Sequence, residues 1–230
     1  MHLRDLTQFL SELEQNNNRA WFVMNRPRYD ILRAEFLELV TELIASIAKF
    51  DPAVRFCNPK KALFRINRDV RFSHDKNPYK TVFSAAIVPT DLKRPSDGAG
   101  PCYYFQLDGR GCLHFGGGEY IPPAWRVKAI RNQIVQDADG FGAMLQNRAL
   151  KKLYGDIQPE HKLTRIPKGF AADAPHADYL KLKSFFIWTE VAMELNAPEK
   201  LVPDLAKSFQ AALPLIQWLR SVPFEPPASE

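Results

Sequence analysis

The sequence predicts an α+β domain: a largely antiparallel sheet in the middle of the chain, packed by N-terminal, central and C-terminal helices. Three observations carry that expectation. Apolar residues recur at three- and four-residue spacing over roughly the first fifty positions, and again beyond Pro122. Between Val54 and Phe115, short β-branched and aromatic runs alternate with clusters of Gly, Pro and Asp. Those runs follow one another without intervening helical segments, which is the pattern of a meander and not of βαβ units.

The elements follow in order. Residues 5–15 carry Leu6, Phe9, Leu10 and Leu13 at helical spacing, and the triplet Asn16-Asn17-Asn18 then breaks the helix. Asparagine is a poor interior residue and a good cap, so Asn18 starts a new helix at Arg19-Ala20-Trp21-Phe22, which Pro27 interrupts. A long helix over 28–49 places Ile31, Leu32, Phe36, Leu39, Val40, Leu43, Ile44 and Ile47 on one face. Strands are expected at 54–56, 62–66, 82–88, 102–107 and 112–115, with a hairpin at Asp108-Gly109-Arg110-Gly111 because Asp-Gly suits a tight turn. Helices are expected at 123–136, 138–145 and 147–153. A proline-punctuated loop over 155–176 comes next, then a late strand at 184–189 and a closing helix over 198–220.

The 230 residues, 46% apolar and 25% charged, suit one domain over 1–222, with a proline-rich flexible tail at 223–230. The N-terminal residues lack the apolar core of a signal peptide. No apolar run reaches the roughly 18–20 residues that span a bilayer, so no membrane partner is expected. Cys57, Cys102 and Cys112 are few, odd in number and without CxxC spacing, which points to a reducing compartment, the cytoplasm.

The net charge of +5 is local. Residues 60–80 hold seven cations (Lys60, Lys61, Arg65, Arg68, Arg71, Lys76, Lys80) against Asp69 and Asp75, and the rest of the chain is balanced. In an extended run Arg65, Asn67, Asp69 and Arg71 share one face, and Phe64, Ile66, Val70 and Phe72 the other. Arg68 falls on the apolar face, so a bend is expected near Asp69. Arginine's planar fork matches carboxylate and phosphate oxygens, and Asp69 can orient one guanidinium. The plain alternative is a solvated hairpin with scattered ion pairs, each worth about 0–1 kcal/mol.

A second candidate is Gly116-Gly117-Gly118, read as a loop between a strand and a helix, where backbone amides can converge on a ligand. It is neither a Walker loop nor a GxGxxG fingerprint, and a glycine-rich bulge accounts for it equally well. Cys102, Cys112 and His114 can approach across a hairpin but lack zinc-type spacing, and no cofactor motif is legible. His74, beside Asp75, is the histidine best placed in sequence for acid–base work. Arg165 and Lys168 add two cations in the long loop.

These segments together resemble the bacterial and fungal domain-of-unknown-function family 2461. The likeness rests on Asn16-Asn17-Asn18-Arg19-x-Trp21-Phe22, on the run from Phe64 to Thr81, on Gly116-Gly117-Gly118-x-Tyr120-x-Pro122 and on Pro167-Lys168-Gly169-Phe170. The resemblance implies one α+β domain with these motifs drawn toward a common surface, and it supplies no activity. His74 departs from the family's usual Lys, which favours the arginines over His74 as functional groups.

The leading expectation is a pocket for a phosphate-bearing or other anionic small ligand. Arg65, Arg68, Asp69, Arg71, Lys76, Tyr79 and Lys80 would line it, with Gly116, Gly117, Gly118 and Lys168 completing it. The alternative is a nucleic-acid-binding module, in which the same cations meet phosphates while Phe64, Phe72, Tyr79, Tyr103, Tyr104 and Phe105 offer stacking faces.

Overall fold

A computed structural model of the chain describes residues 1–71, 75–90 and 100–224. His74 and Phe72 lie outside the described residues. The chain opens with α1 (Leu3–Gln15), whose Leu6, Phe9, Leu10 and Leu13 are fully buried, as their spacing requires. Asn18 then caps α2 (Arg19–Met24): its side-chain oxygen accepts from the Trp21 amide. α3 (Arg26–Ile47) takes Pro27 into its first turn, where no main-chain donor is needed, and buries Leu32, Phe36, Leu39, Val40, Leu43, Ile44 and Ile47. Ile31, expected on that face, is exposed; it sits one residue, about 100° of helix, away from the stripe set by Leu32 and Phe36.

Two expected strands are not strands. Val54 and Phe56 lie in a 3₁₀ turn, Pro52–Phe56, and Ala62 ends a single helical turn, α4 (Pro59–Ala62). Pro52 and Pro59 fix the backbone angle at which such turns begin, and the Asn58 side chain accepts from the Lys60 and Lys61 amides. Local capping therefore outweighs the β propensity of the valine and phenylalanines.

The sheet is a four-stranded meander in the order β1 (Val82–Ile87), β2 (Cys102–Asp108), β3 (Cys112–Glu119), β4 (Phe185–Ala192), antiparallel throughout. Between β3 and β4 lie α5 (Ala124–Gln136), α6 (Ala138–Leu145) and α7 (Arg148–Tyr154). The last helix is α8 (Leu201–Ser221), preceded by a 3₁₀ turn at Pro198–Lys200. The Asp108 turn between β2 and β3 forms as expected, with Asp108 Oδ1 accepting from the amides of Arg110 and Cys112.

Register decides which face is buried. Phe83, Ala85 and Ile87 of β1 pair with Leu107, Phe105 and Tyr103 of β2. These in turn face Leu113, Phe115 and Gly117 of β3. That face packs on α3 and α8, through Phe36 against Phe83 and Phe105 and through Phe209 against Tyr103. Each such side chain removed from water stabilises the fold by about 1.5–3 kcal/mol. Beneath it, Asp51 accepts from Tyr103 Oη at 2.8 Å and pairs with Arg220 at 2.7 Å, tying the end of α3 to α8. No described helix is long and apolar enough to cross a membrane.

Candidate functional site

The other face of the sheet is the floor of a groove of about 570 Å³. Its floor positions are Ser84 and Ala86 of β1, Cys102, Tyr104 and Gln106 of β2, His114, Gly116 and Gly118 of β3, and Phe186 and Trp188 of β4. Gly116 lies between Tyr104 and Trp188, and Gly118 between Cys102 and Phe186. The middle of the floor therefore carries no side chains, and aromatic rings stand on either side. A Cβ at Gly116 would collide with the Ile187 carbonyl, and one at Gly118 with that of Phe185, so only glycine lets β3 lie this close to β4. Gly117 points the other way, onto Ala212 and Ile216 of α8. The glycine run is thus not the loop expected from sequence but the end of β3, and its amides serve the ladder.

The rim is also aromatic. Phe64 stands over the β1 edge with its ring 6.0 Å from that of Tyr104, and Tyr120 and Ile121 continue the rim beyond β3. On the β4 side, Trp188 Nε1 donates to Glu160 at 3.3 Å and Tyr120 packs edge-on against Phe186. Polar groups gather at one end of the floor. Tyr104 Oη donates to Gln106 Oε1 at 2.8 Å. The His114 ring lies between two carboxylates, Nδ1 at 3.2 Å from Glu190 and Nε2 at 3.5 Å from Asp108. Burial would raise the Asp108 pKa, but hydrogen bonds from the Cys112 amide and from Arg110 reverse that and hold it below the ordinary carboxylate value.

At the other end, Arg126 of α5 is buried beside Glu119 and donates to both its oxygens, to the carbonyls of Leu219, Val222 and Pro223, and sits under the Phe224 ring. Every fork of the guanidinium is occupied, so Arg126 is a staple. Pro223 and Phe224, expected in a loose tail, are held by it. Cys102 lies at this end too, its thiol pushed up to about 12 by burial and by Glu119. Register pairs Cys102 with Gly118 and Cys112 with Ala192, so Cys102 is at the opposite end of the sheet from Cys112 and His114, and the three do not gather.

The cation-rich segment forms an arm beside β1. Leu63 bridges to Ala85 and the Phe64 amide donates to the Ser84 carbonyl. Beyond them 66–68 and 78–80 pair antiparallel through Lys80 N to Ile66 O and Arg68 N to Pro78 O. Exposure alternates as the sequence suggests: Arg65, Asn67, Asp69 and Arg71 are exposed, and Ile66 is buried. The arm is pinned to the first helices at Tyr79. Asn17 both donates to the Tyr79 carbonyl and accepts from its amide, and the Tyr79 ring stacks on Phe22 with centroids 4.0 Å apart. Tyr79, a candidate ligand contact by sequence, is a buried anchor instead.

The cations of the arm divide into two groups. Arg71 forms a two-pronged pair with Asp69, which also accepts from the Arg71 amide; these bonds hold the Asp69 carboxyl far below its usual range and make the expected bend. Arg68 pairs with Asp75 at 2.6 Å, while its Nε is buried without a partner among the described residues. Lys76 Nζ donates to the Val70 carbonyl. Arg65 and Lys80 form no ion pair among the described residues. Lys80 Nζ lies 5.1 Å from the centre of the Phe64 ring, and its pKa is lowered by burial first and then by Arg65 and Arg68. Arg65 and Arg68 therefore both lie close enough to disfavour the Lys80 charge, while Arg68 pairs with Asp75 and Arg65 lies near the Asp69 carboxylate. Lys168 is exposed in the loop after α7 and makes no hydrogen bond or ion pair with the arm or the groove among the described residues.

A family model described as a conserved hypothetical protein (DUF2461) matches residues 5–218. The chain belongs to the DUF2461 family. No curated protein and no solved structure matches it.

The geometry shows what the DUF2461 motifs of this chain do. Asn17, Phe22 and Tyr79 lock the arm to the helices, the described residues 64–71 and 75–80 form the arm itself, and Gly116 and Gly118 lie on the floor of the groove. Sequence reasoning missed Tyr104, Gln106, His114, Phe186 and Trp188 as one surface. The usable signal was alternation on β2: Tyr104 and Gln106 share the groove face, whereas Tyr103 and Phe105, grouped with Tyr104 as stacking residues, are fully buried on the other.

Proposed function

We propose that this DUF2461 chain binds a small anionic ligand, one bearing a phosphate or carboxylate, on the arm at Arg65, Arg68 and Lys80. The observation that carries the reading is the antiparallel pairing of 66–68 with 78–80, which sets Arg68 and Lys80 on adjoining segments beside Arg65; among the described residues Arg68 pairs with Asp75, Arg65 lies near the Asp69 carboxylate, and Lys80 has no ion pair. Like charges held together cost free energy in the empty site, and an anion removes that cost as it binds. Arginine forks provide directional donors, and the half-buried Lys80 adds a charge that water screens less than a free surface lysine. Arg71, Asp69 and Lys76 shape the arm through their own bonds and stand behind the site. The sparse, odd-numbered cysteines, without CxxC spacing, support a reducing compartment, the cytoplasm, as its location.

Calorimetry with inorganic phosphate and with single-stranded oligonucleotides tests the reading. Phosphate binding lost in the double variant Arg65→Gln/Lys80→Gln, with the circular dichroism spectrum unchanged, is the expected result. Oligonucleotide binding that falls steeply with salt, combined with no phosphate affinity, would replace this reading by a nucleic-acid surface.

A further inference from the structure

We infer that the groove on the open sheet face is a binding site for a flat aromatic ring, and that the ring and the anion on the arm belong to one ligand, an aryl phosphate or aryl carboxylate in class. The second half of this rests on the anion reading above; the first half does not.

Gly116 and Gly118 occur where alternation would place two inward side chains, and their absence leaves a slot between Tyr104 on β2 and the Trp188 and Phe186 rings on β4. A slot walled by rings and floored by backbone suits a planar body, because ring faces and edges attract one another at van der Waals contact. A volume of about 570 Å³ lies within the range of small-molecule sites, roughly 300–1,000 Å³.

Charge then fixes the ligand's sign and direction. The wall on the β1 side is Phe64, whose ring touches the slot through Tyr104 and carries the Lys80 ammonium 5.1 Å from its centre, with Arg65 and Arg68 beyond. The opposite side presents carboxylates, Glu160 at Trp188 and Glu190 at His114. An anionic group is repelled from the β4 side and attracted over Phe64, so the ring lies toward Trp188 and the acid toward Lys80. Gln106, on the floor between the two sides, accepts from Tyr104 through its oxygen and keeps its amide nitrogen for a polar substituent of the ring.

Three probes separate the two halves of the inference: inorganic phosphate, 2-naphthol and 2-naphthyl phosphate, each titrated by calorimetry against the full chain, Trp188→Leu, Trp188→Phe and Arg65→Gln/Lys80→Gln. The expected result is that 2-naphthyl phosphate binds at least about tenfold more tightly than either fragment. Trp188→Leu should lower that affinity about tenfold while leaving inorganic phosphate unaffected, and Trp188→Phe, which keeps a flat ring, should restore most of it. If Trp188→Leu does not fold, the wild-type chain still decides the matter: quenching of indole emission by 2-naphthyl phosphate should largely disappear in Trp188→Phe. A 2-naphthyl phosphate affinity no greater than that of phosphate, and no quenching, overturns the ring site and leaves the anion reading standing. Equal binding of 2-naphthol and 2-naphthyl phosphate, unchanged in Arg65→Gln/Lys80→Gln, overturns the anion reading and the aryl-acid class while the ring site survives.

Discussion

Lys80 concentrates the chemistry of the arm in one side chain. Its folded pKa lies below the ordinary lysine value because burial, then Arg65 and Arg68, disfavour the charged form. The sign of the consequence follows from linkage: the empty protein carries an electrostatic cost while Lys80 is protonated, and that cost disappears as pH rises through the lowered pKa toward 10.5. On the proposed reading, a bound anion reverses the preference and needs the proton. The rise in melting temperature produced by phosphate at neutral pH should therefore shrink as pH climbs toward 10, and should shrink less in Lys80→Arg, which stays charged; an unchanged phosphate effect across that range would remove Lys80 from the site. Asp-Gly in the sequence announces a turn, yet the positive φ belongs to Gly111, at 78°, and not to Gly109. Gly109 is glycine because a Cβ there would lie 2.6 Å from the Ser11 amide of α1. Gly111→Ala has open space around it and should cost about 1–2 kcal/mol of backbone strain. Gly109→Ala meets main chain and should cost more, as urea unfolding of the two variants will report. The turn was legible from local sequence; the reason for Gly109 was not, because it is a contact with a residue nearly one hundred positions away.

At the scale of elements, what could be read from sequence was whatever periodicity alone determines. The first helix, the long α3 and the helices after Pro122 came out within a few residues of their observed ends, since one buried stripe specifies each. The segment 52–67 did not, because Pro52, Asn58 and Pro59 impose turns that a strand-like composition conceals. The arm lies between these cases: its alternation was visible, but what holds it was not. Its attachment is the pair of hydrogen bonds between the Asn17 side chain and the Tyr79 backbone, together with the Tyr79–Phe22 stack, which contributes about 0.5–1.5 kcal/mol. Asn17→Ala leaves the half-buried Tyr79 amide and carbonyl without those partners and should destabilise the arm by about 1–3 kcal/mol. Hydrogen exchange is the direct measurement: the Arg68 and Lys80 amides should lose protection while those of α8 keep theirs. Equal loss throughout would show that the arm is no separate unit and that Asn17 supports the whole fold.

At the scale of the whole molecule, α8 is the element on which the others converge: it packs on α3, on β3 and on α6 and α7, and its Arg220 joins Asp51 at the end of α3. This arrangement also explains why the groove escaped sequence reasoning. Both faces of β2 and β4 carry aromatic residues, and only the packing of α3 and α8 on one of them leaves the other open. The link between the buried layer and the groove is Arg126, which holds Glu119 at the end of β3 to the carbonyl of Leu219 in the last turn of α8 and to those of Val222 and Pro223 just after it. A chain ending at Ser221 removes two of those acceptors and the Phe224 ring, whereas one ending at Phe224 keeps them all. The buried guanidinium then faces fewer partners, at a cost of about 1–3 kcal/mol for each charged hydrogen bond left unmade. The shorter chain should melt several degrees below the longer one, in a single transition seen alike by near-ultraviolet circular dichroism and by tryptophan emission, because one contiguous core joins α8 to the sheet. On the ring-site inference it should also bind 2-naphthyl phosphate more weakly, since Phe224 and Glu119 border the slot at that end. Equal melting temperatures for the two chains would mean that Glu119 and the Leu219 carbonyl suffice for Arg126 and that the segment after α8 contributes nothing to the sheet it touches.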